Sequence, residues 1–371
     1  MTVPLLATKL YMPSLRSDLV PRPRLIERLN EGLSSGRQLA LVSAPAGYGK
    51  TTLLAEWLSA LPPDSGGGSP RAGRVAWLSI DQEDNEPARF WTYLVAALRT
   101  AAEGVGESAR EALQAPQPPS PQLLLTGLLN DIAALPQRII LVLDDFHLVT
   151  REEILEGLGF LVNHQPRQLH LVLSTRADPV LPLARLRARG RLTEVRLEDL
   201  AFTVQEAVTF FNDRMGLDLL LEDVRALETR TEGWVAGLQL AALSLQDCAD
   251  RRGFITTFAG SHHFVLEYLA EEVLNRQPEP VQRFLRQTSI LDRLCGPLCD
   301  AVYFGHAETH GGGGAMLSGL HRKNLFLVVL DDEHRWYRYH HLFADLLRRR
   351  FEREASGEQI VELYRRASAW H

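Results

Sequence analysis

Cysteine is scarce in this sequence: three residues in 371, Cys248, Cys295 and Cys299. So sparse and odd a set gives no disulfide framework and fits a reducing, cytoplasmic setting. Cys295 and Cys299 do not read as a zinc site either. No second Cys or His pair follows them at ligand spacing, and buried structural thiols are the better reading. Long apolar runs are also missing. No uncharged stretch approaches the ~20 residues of a membrane span, and the amino terminus has no basic segment followed by an apolar core. Neither a membrane partner nor a signal peptide is therefore expected. An excess of basic charge is absent as well. The net charge of -6 excludes a chain that coats nucleic acid along its whole length, though not a local basic patch. No internal repeat of 20–50 residues is evident.

What is present is ordinary core material, with 45% apolar residues in a chain long enough for two or three domains. Five short apolar runs recur between about 39 and 197: 39–43, 74–80, 139–143, 169–174 and 193–197. Continuous runs of this length suit strands buried on both faces of a parallel sheet. Helical stretches at 90–101 and 123–135 lie between them, so the layout is α/β and doubly wound. Residues 62–73 and 116–121, rich in proline and glycine or serine, read as exposed loops or disorder, not as domain boundaries. After about 200 the pattern turns helical. Thr203 and Glu206 form a capping-box pattern. Helices are expected at 222–231, 234–246, 264–276 and 279–288, followed by a β-hairpin at 325–339 around the turn 331–334. Helices ending in a hairpin suggest a winged helix. Glycines 311–314 read as a flexible loop.

The chemistry is concentrated at Ala44-Pro45-Ala46-Gly47-Tyr48-Gly49-Lys50-Thr51, a P-loop with Ala44 in place of the first glycine. Gly47 and Gly49 let the backbone curl so that amide N–H groups face a phosphate. Lys50 offers an ammonium to the β- and γ-phosphates, Thr51 ligates Mg²⁺, and Thr52 reaches the α-phosphate. An apolar strand before the loop and a helix after it provide the context the motif needs. Asp144 and Asp145 close the third strand at the Walker B position. Asp144 suits Mg²⁺ through its water shell, and Asp145 suits the attacking water. Arg176 follows the fourth strand, at the sheet edge where ligands bind. It reads either as a γ-phosphate sensor or as a surface arginine paired with a carboxylate. Arg185, Arg187, Arg189 and Arg191 are expected near that nucleotide edge or at a neighbouring subunit.

The P-loop with Tyr48, the stretch Leu143-Asp144-Asp145-Phe146-His147 and Leu173-Ser174-Thr175-Arg176 together resemble the nucleotide-binding module of MalT-like regulators. These are large ATP-dependent LuxR-type regulators of the STAND class. Further likeness lies in Thr8-Lys9-Leu10, in residues 19–25, in residues 264–274 and in residues 336–343. The resemblance covers essentially the whole chain. It implies a P-loop nucleotide-binding domain at 1–200 with an adenine-contacting segment around Val20 and Arg22. A helical domain at 201–255 and a winged-helix domain at 256–350 follow, and 351–371 begins a helical C-terminal region.

The same resemblance implies ATP/ADP and Mg²⁺ as ligands, with nucleotide contacts from Ala46, Gly47, Tyr48, Gly49, Lys50, Thr51 and Thr52. Tyr339-His340-His341-Leu342 resembles the Met-His-Asp motif of related switch ATPases, which places His340 on the β-phosphate of ADP. A packed hairpin histidine is the alternative. Related switch proteins carry a nucleotide-contacting proline where this chain has Gly233-Trp234-Val235-Ala236. The resemblance further implies ADP at rest, ATP exchange and self-association on activation. It also implies an inducer-sensing region and a C-terminal DNA-binding domain outside these 371 residues. The chain thus reads as a switch core, either a piece of such a regulator or a protein fused differently in nature. A continuously turning-over P-loop motor and a winged-helix DNA-binding module are the competing readings. For the latter, the basic group Arg348, Arg349, Arg350 and Arg353 reads equally as a solvated helix face.

Overall fold

The computed structural model describes residues 5–15, 19–61, 75–115, 120–246, 248, 250–258, 263–305, 312–331 and 333–370. The expected loop at 62–73 and the first four residues of the one at 116–121 lie outside these. The chain divides into two compact units, Met1–Ala44 with Gly49–Leu200, and Pro45–Tyr48 with Ala201–His371.

In the first unit, α1 (Pro23–Ser34) leads into β1 (Leu39–Ser43), and α2 (Lys50–Ala60) follows the glycine loop. Then come β2 (Val75–Ser79), α3 (Pro87–Ala101), α4 (Glu107–Leu113), α5 (Pro121–Ala133) and β3 (Ile139–Asp144). The unit closes with α6 (Glu152–Asn163), β4 (Leu169–Thr175), α7 (Leu183–Ala188), β5 (Leu192–Val195) and the single turn α8 (Leu197–Leu200). The five strands form one parallel sheet in the order β2-β3-β4-β1-β5. β1, β3 and β4 are buried along their whole length, which is why their sequences show continuous apolar runs instead of alternation. Helix starts follow local chemistry. Pro87 opens α3 with the Glu86 carboxylate accepting from the Ala88 and Arg89 amides. Pro121, expected in a loop, opens α5 instead, capped by Ser120.

In the second unit, α9 (Val204–Val208) continues into a π-helical turn at Thr209–Arg214. It starts at the expected capping box: Thr203 Oγ1 accepts from the Glu206 amide at 3.2 Å, and Glu206 accepts from the Thr203 amide at 2.8 Å. After it come α10 (Leu221–Thr231), α11 (Val235–Gln246), α12 (Arg251–Thr257), α13 (His263–Leu269), α14 (Glu279–Thr288), α15 (Gly296–Cys299) and α16 (Gly312–Arg322). The antiparallel pair β6 (Leu327–Val329) and β7 (Tyr337–Tyr339) forms the expected hairpin, and α17 (His341–Glu354) and α18 (Gly357–Trp370) follow.

Glycines 312–314 correct the sequence reading, because they form the first turn of α16. The Gly313 amide donates to the buried Asp300 carboxylate at 2.6 Å. A Cβ on Gly313 would meet the Gly296 carbonyl oxygen at 2.7 Å. The glycines are there for close approach to α15, so they order the backbone instead of loosening it. Cys295 and Cys299 are buried, and burial pushes both thiols above their ordinary range. No group of three or more His, Cys, Asp or Glu side chains placed to hold a metal ion is found among the described residues. No helix among them is long and apolar enough to cross a membrane.

Candidate nucleotide-binding site

In the first unit the candidate residues converge at the carboxyl ends of β1, β3 and β4. β1 runs into the loop at Ala44, whose amide donates to the Thr175 carbonyl at the end of β4 at 3.3 Å. Gly49 takes a left-handed φ of 74° as the residue before α2, so Lys50 and Thr51 fall in the first helical turn. The helix therefore directs its first amides and its partial positive charge at the loop. The Lys50 ammonium is buried and lies 2.9 Å from the Ala44 carbonyl oxygen. Burial pulls its pKa down to about 8; the nearby Arg176 guanidinium acts in the same direction, while Asp145 and Asp144 oppose it. A cation held this way gains stability when an anion arrives.

Thr51 Oγ1 donates to Asp144 Oδ2 at 2.9 Å, which joins the two residues expected at Mg²⁺. Asp145 has a left-handed backbone with φ 55°, and its amide donates to Asp144 Oδ1 at 3.0 Å. Its carboxylate lies 3.8 Å from His147 Nδ1. Thr52 is exposed in the same first turn.

Other expected residues have different surroundings. Val20 is buried, and the buried Arg22 guanidinium donates to the backbone carbonyls of Leu200 at 2.8 Å and Asp199 at 3.2 Å. The Arg22 backbone is engaged as well, its amide donating to Glu56 Oε1 at 3.3 Å and its carbonyl accepting from the Leu25 and Ile26 amides. The arginine stretch 185–191 is not at the nucleotide edge. The Arg191 carbonyl accepts from the Gln38 amide at the amino-terminal end of β1, opposite the loop, and Arg187 pairs with Glu194 at 2.8 Å. These arginines close the far end of the sheet.

The tip of the loop, Pro45–Tyr48, groups with the second unit. There the indole Nε1 of Trp234 donates to the Ala46 carbonyl at 2.9 Å, and the Ala236 amide donates to the Gly47 carbonyl at 3.0 Å. Ala46 and Tyr48 are buried, and the Tyr48 ring lies 6.3 Å from that of Phe326. His340 is fully enclosed against Phe326 at 5.5 Å and Trp234 at 6.3 Å. Its Nε2 lies 2.8 Å from the Thr231 carbonyl, which can only accept, so Nε2 carries the proton. Nδ1 is then a buried acceptor with no hydrogen-bond partner among the described residues. Burial lowers the ring's pKa and favours this neutral form. A neutral Nδ1 has the wrong polarity for a phosphate oxygen, so a role on phosphate requires the imidazolium.

Beside His340 lies a residue the sequence did not single out. Glu232, left-handed at φ 52°, holds Arg338 through two bonds of 2.8 Å and accepts from the His341 amide at 3.1 Å. Burial works to raise its carboxyl, but Arg338, His340 and the His341 amide outweigh it and bring the pKa down to about 2.

Residues 19–174 match the AAA ATPase domain model and residues 270–359 the MalT winged helix domain model. The class is thus a nucleotide-binding AAA ATPase domain joined in one chain to a winged helix. More particularly, the chain is similar to MalT regulators and to a protein kinase. It is 34% identical over 369 residues to the HTH-type transcriptional regulator MalT of Vibrio parahaemolyticus, spanning 98% of this chain and 38% of that protein. It is 36% identical over 370 residues to the serine/threonine-protein kinase PknK of Mycobacterium tuberculosis, spanning 100% of this chain and 32% of the kinase. The chain therefore spans about a third of each relative. Among solved structures, a signal transduction ATPase with numerous domains and a tetratricopeptide repeat sensor from Pyrococcus horikoshii aligns at 18% identity and a TM-score of 0.48. That alignment covers 96% of this chain and 45% of the other.

Proposed function

We propose that this chain is the switch core of a STAND signal-transduction ATPase in the cytoplasm. It holds ADP at rest, exchanges it for ATP when an inducer acts on a sensing region, and self-associates when ATP-bound. The observation that carries the reading is that the tip of the phosphate loop packs within the same unit as the MalT-type winged helix.

In this reading the loop amides of Ala46, Gly47, Tyr48 and Gly49 and the Lys50 ammonium hold the phosphates, Thr52 reaches the α-phosphate, and the Val20–Arg22 segment meets the adenine. Thr51 and Asp144 offer the hard oxygen donors Mg²⁺ takes, and the ion, when bound, neutralises phosphate charge. Asp145 orients the attacking water, Arg176 reports on the γ-phosphate, and His340, as the imidazolium, reports on the β-phosphate of ADP. The domain division that goes with it is 1–200, 201–255, 256–350 and 351–371.

Output through DNA rests on a domain outside this chain, as the name of the MalT relative suggests. A second output is favoured by the equally similar PknK: the same core governing a protein kinase. Direct DNA binding by this chain is less favoured, because Arg348 donates to the Ser289 carbonyl and Asp292 and Arg350 donates to Asn275. The test is the nucleotide released on denaturing the freshly purified protein. Near-stoichiometric ADP supports the switch; a site that comes out empty contradicts it.

A further inference from the structure

The two donors on the loop tip have a consequence that the P-loop motif does not contain. In a planar trans peptide the carbonyl of one residue and the N–H of the next point in opposite directions. Trp234 holds the Ala46 carbonyl at 2.9 Å, and Ala236 holds the Gly47 carbonyl at 3.0 Å. Anchoring these two carbonyls on one side turns the N–H groups of Gly47 and Tyr48 to the other. Convergent amides of this kind are what a phosphate-binding nest consists of.

Both donors are well placed for this. Ala236 is the second residue of α11, where a backbone N–H has no acceptor within its own helix. The Trp234 indole is fully buried and is fixed edge-on to Phe326 at 5.4 Å. Gly47 is also fitted to the contact. Its φ is 80°, and a Cβ there would meet Trp234 Nε1 at 2.6 Å and the Ala236 Cβ at 2.7 Å. The glycine is thus required by the approach of the indole as well as by its own conformation.

We propose that Trp234, with the Ala236 amide, is the positioning residue of the phosphate loop: it presets the Gly47 and Tyr48 amides for a nucleoside diphosphate before the ligand binds. This rests on the nucleotide reading above. The test uses two variants. Trp234→Phe keeps the ring and removes the donor. Ala236→Pro removes the amide at a first-turn position that a helix tolerates. Each is expected to raise the dissociation constant for ADP about 3- to 10-fold, the worth of one neutral hydrogen bond. Each should also speed hydrogen exchange in the peptide spanning residues 44–50, while peptides from α10 stay unchanged. Wild-type affinity together with wild-type loop exchange in both variants would overturn the proposal. If Trp234→Phe fails to fold, Ala236→Pro decides. If the wild-type chain itself fails to bind ADP, the nucleotide reading falls, and the positioning role is judged on the exchange alone.

Discussion

The two units use buried charge in opposite ways. At the end of the parallel sheet, burial first and the nearby Arg176 guanidinium second depress Lys50 to about 8, against the pull of Asp145 and Asp144. In the second unit, charges of opposite sign are matched, with the two carboxylate oxygens of Glu232 each bonded to Arg338 at 2.8 Å. A cation depressed mainly by burial is stabilised by an arriving anion, which makes Lys50 a candidate ligand group. A matched pair is already complete and fixes packing, here the end of α10 against β7. On the proposed nucleotide reading, the first arrangement suits a phosphate and the second holds the fold.

Four substitutions sharpen or break this contrast, in order of decreasing effect. Lys50→Ala removes the cation that the site is built around, and ADP affinity should fall by about 100-fold or more in titration calorimetry, since charged hydrogen bonds to phosphate are the strong ones. Unchanged affinity would remove the site. Asp145→Asn keeps the shape and loses the base. ADP affinity should hold within about twofold, while ATP turnover drops on the order of 10²-fold; normal turnover would strip Asp145 of its role.

Glu232→Ala leaves Arg338 half-buried without its partner and should destabilise the second unit by about 2 kcal/mol in thermal or urea unfolding, with little change at Lys50. The pH dependence follows from the same pair. The folded Glu232 pKa lies at about 2, below the ordinary 4.5, so its stabilisation is present above about pH 4.5. It is lost as pH falls towards 2. The variant should lose that part of the acid-unfolding slope, and an identical slope would show that the pair does not latch the hairpin. Thr203→Ala removes half of the capping box at α9 and should cost about 1 kcal/mol, read as a small fall in melting temperature.

Much of this molecule was legible because its signals are local. Three strands buried on both faces leave unbroken apolar runs, the phosphate loop is contiguous, and the Thr203 box sits within four residues. The sheet order was not legible, since a fully buried strand has no alternating face to fix its neighbours. Glycines 312–314 misled because a glycine run reads as slack, whereas here the missing side chains admit a neighbouring backbone. Trp234 and Glu232 were missed as partners because their contacts span 188 and 106 positions of sequence. The one trace was Gly233-Trp234, standing where related switch proteins carry a proline.

Whether nucleotide marks a state or supplies work is decided by following phosphate release from purified protein given a tenfold excess of ATP and Mg²⁺. A switch hydrolyses about one equivalent and then stalls with ADP retained on the chain. Steady release of many equivalents, with no ADP left bound, would contradict it.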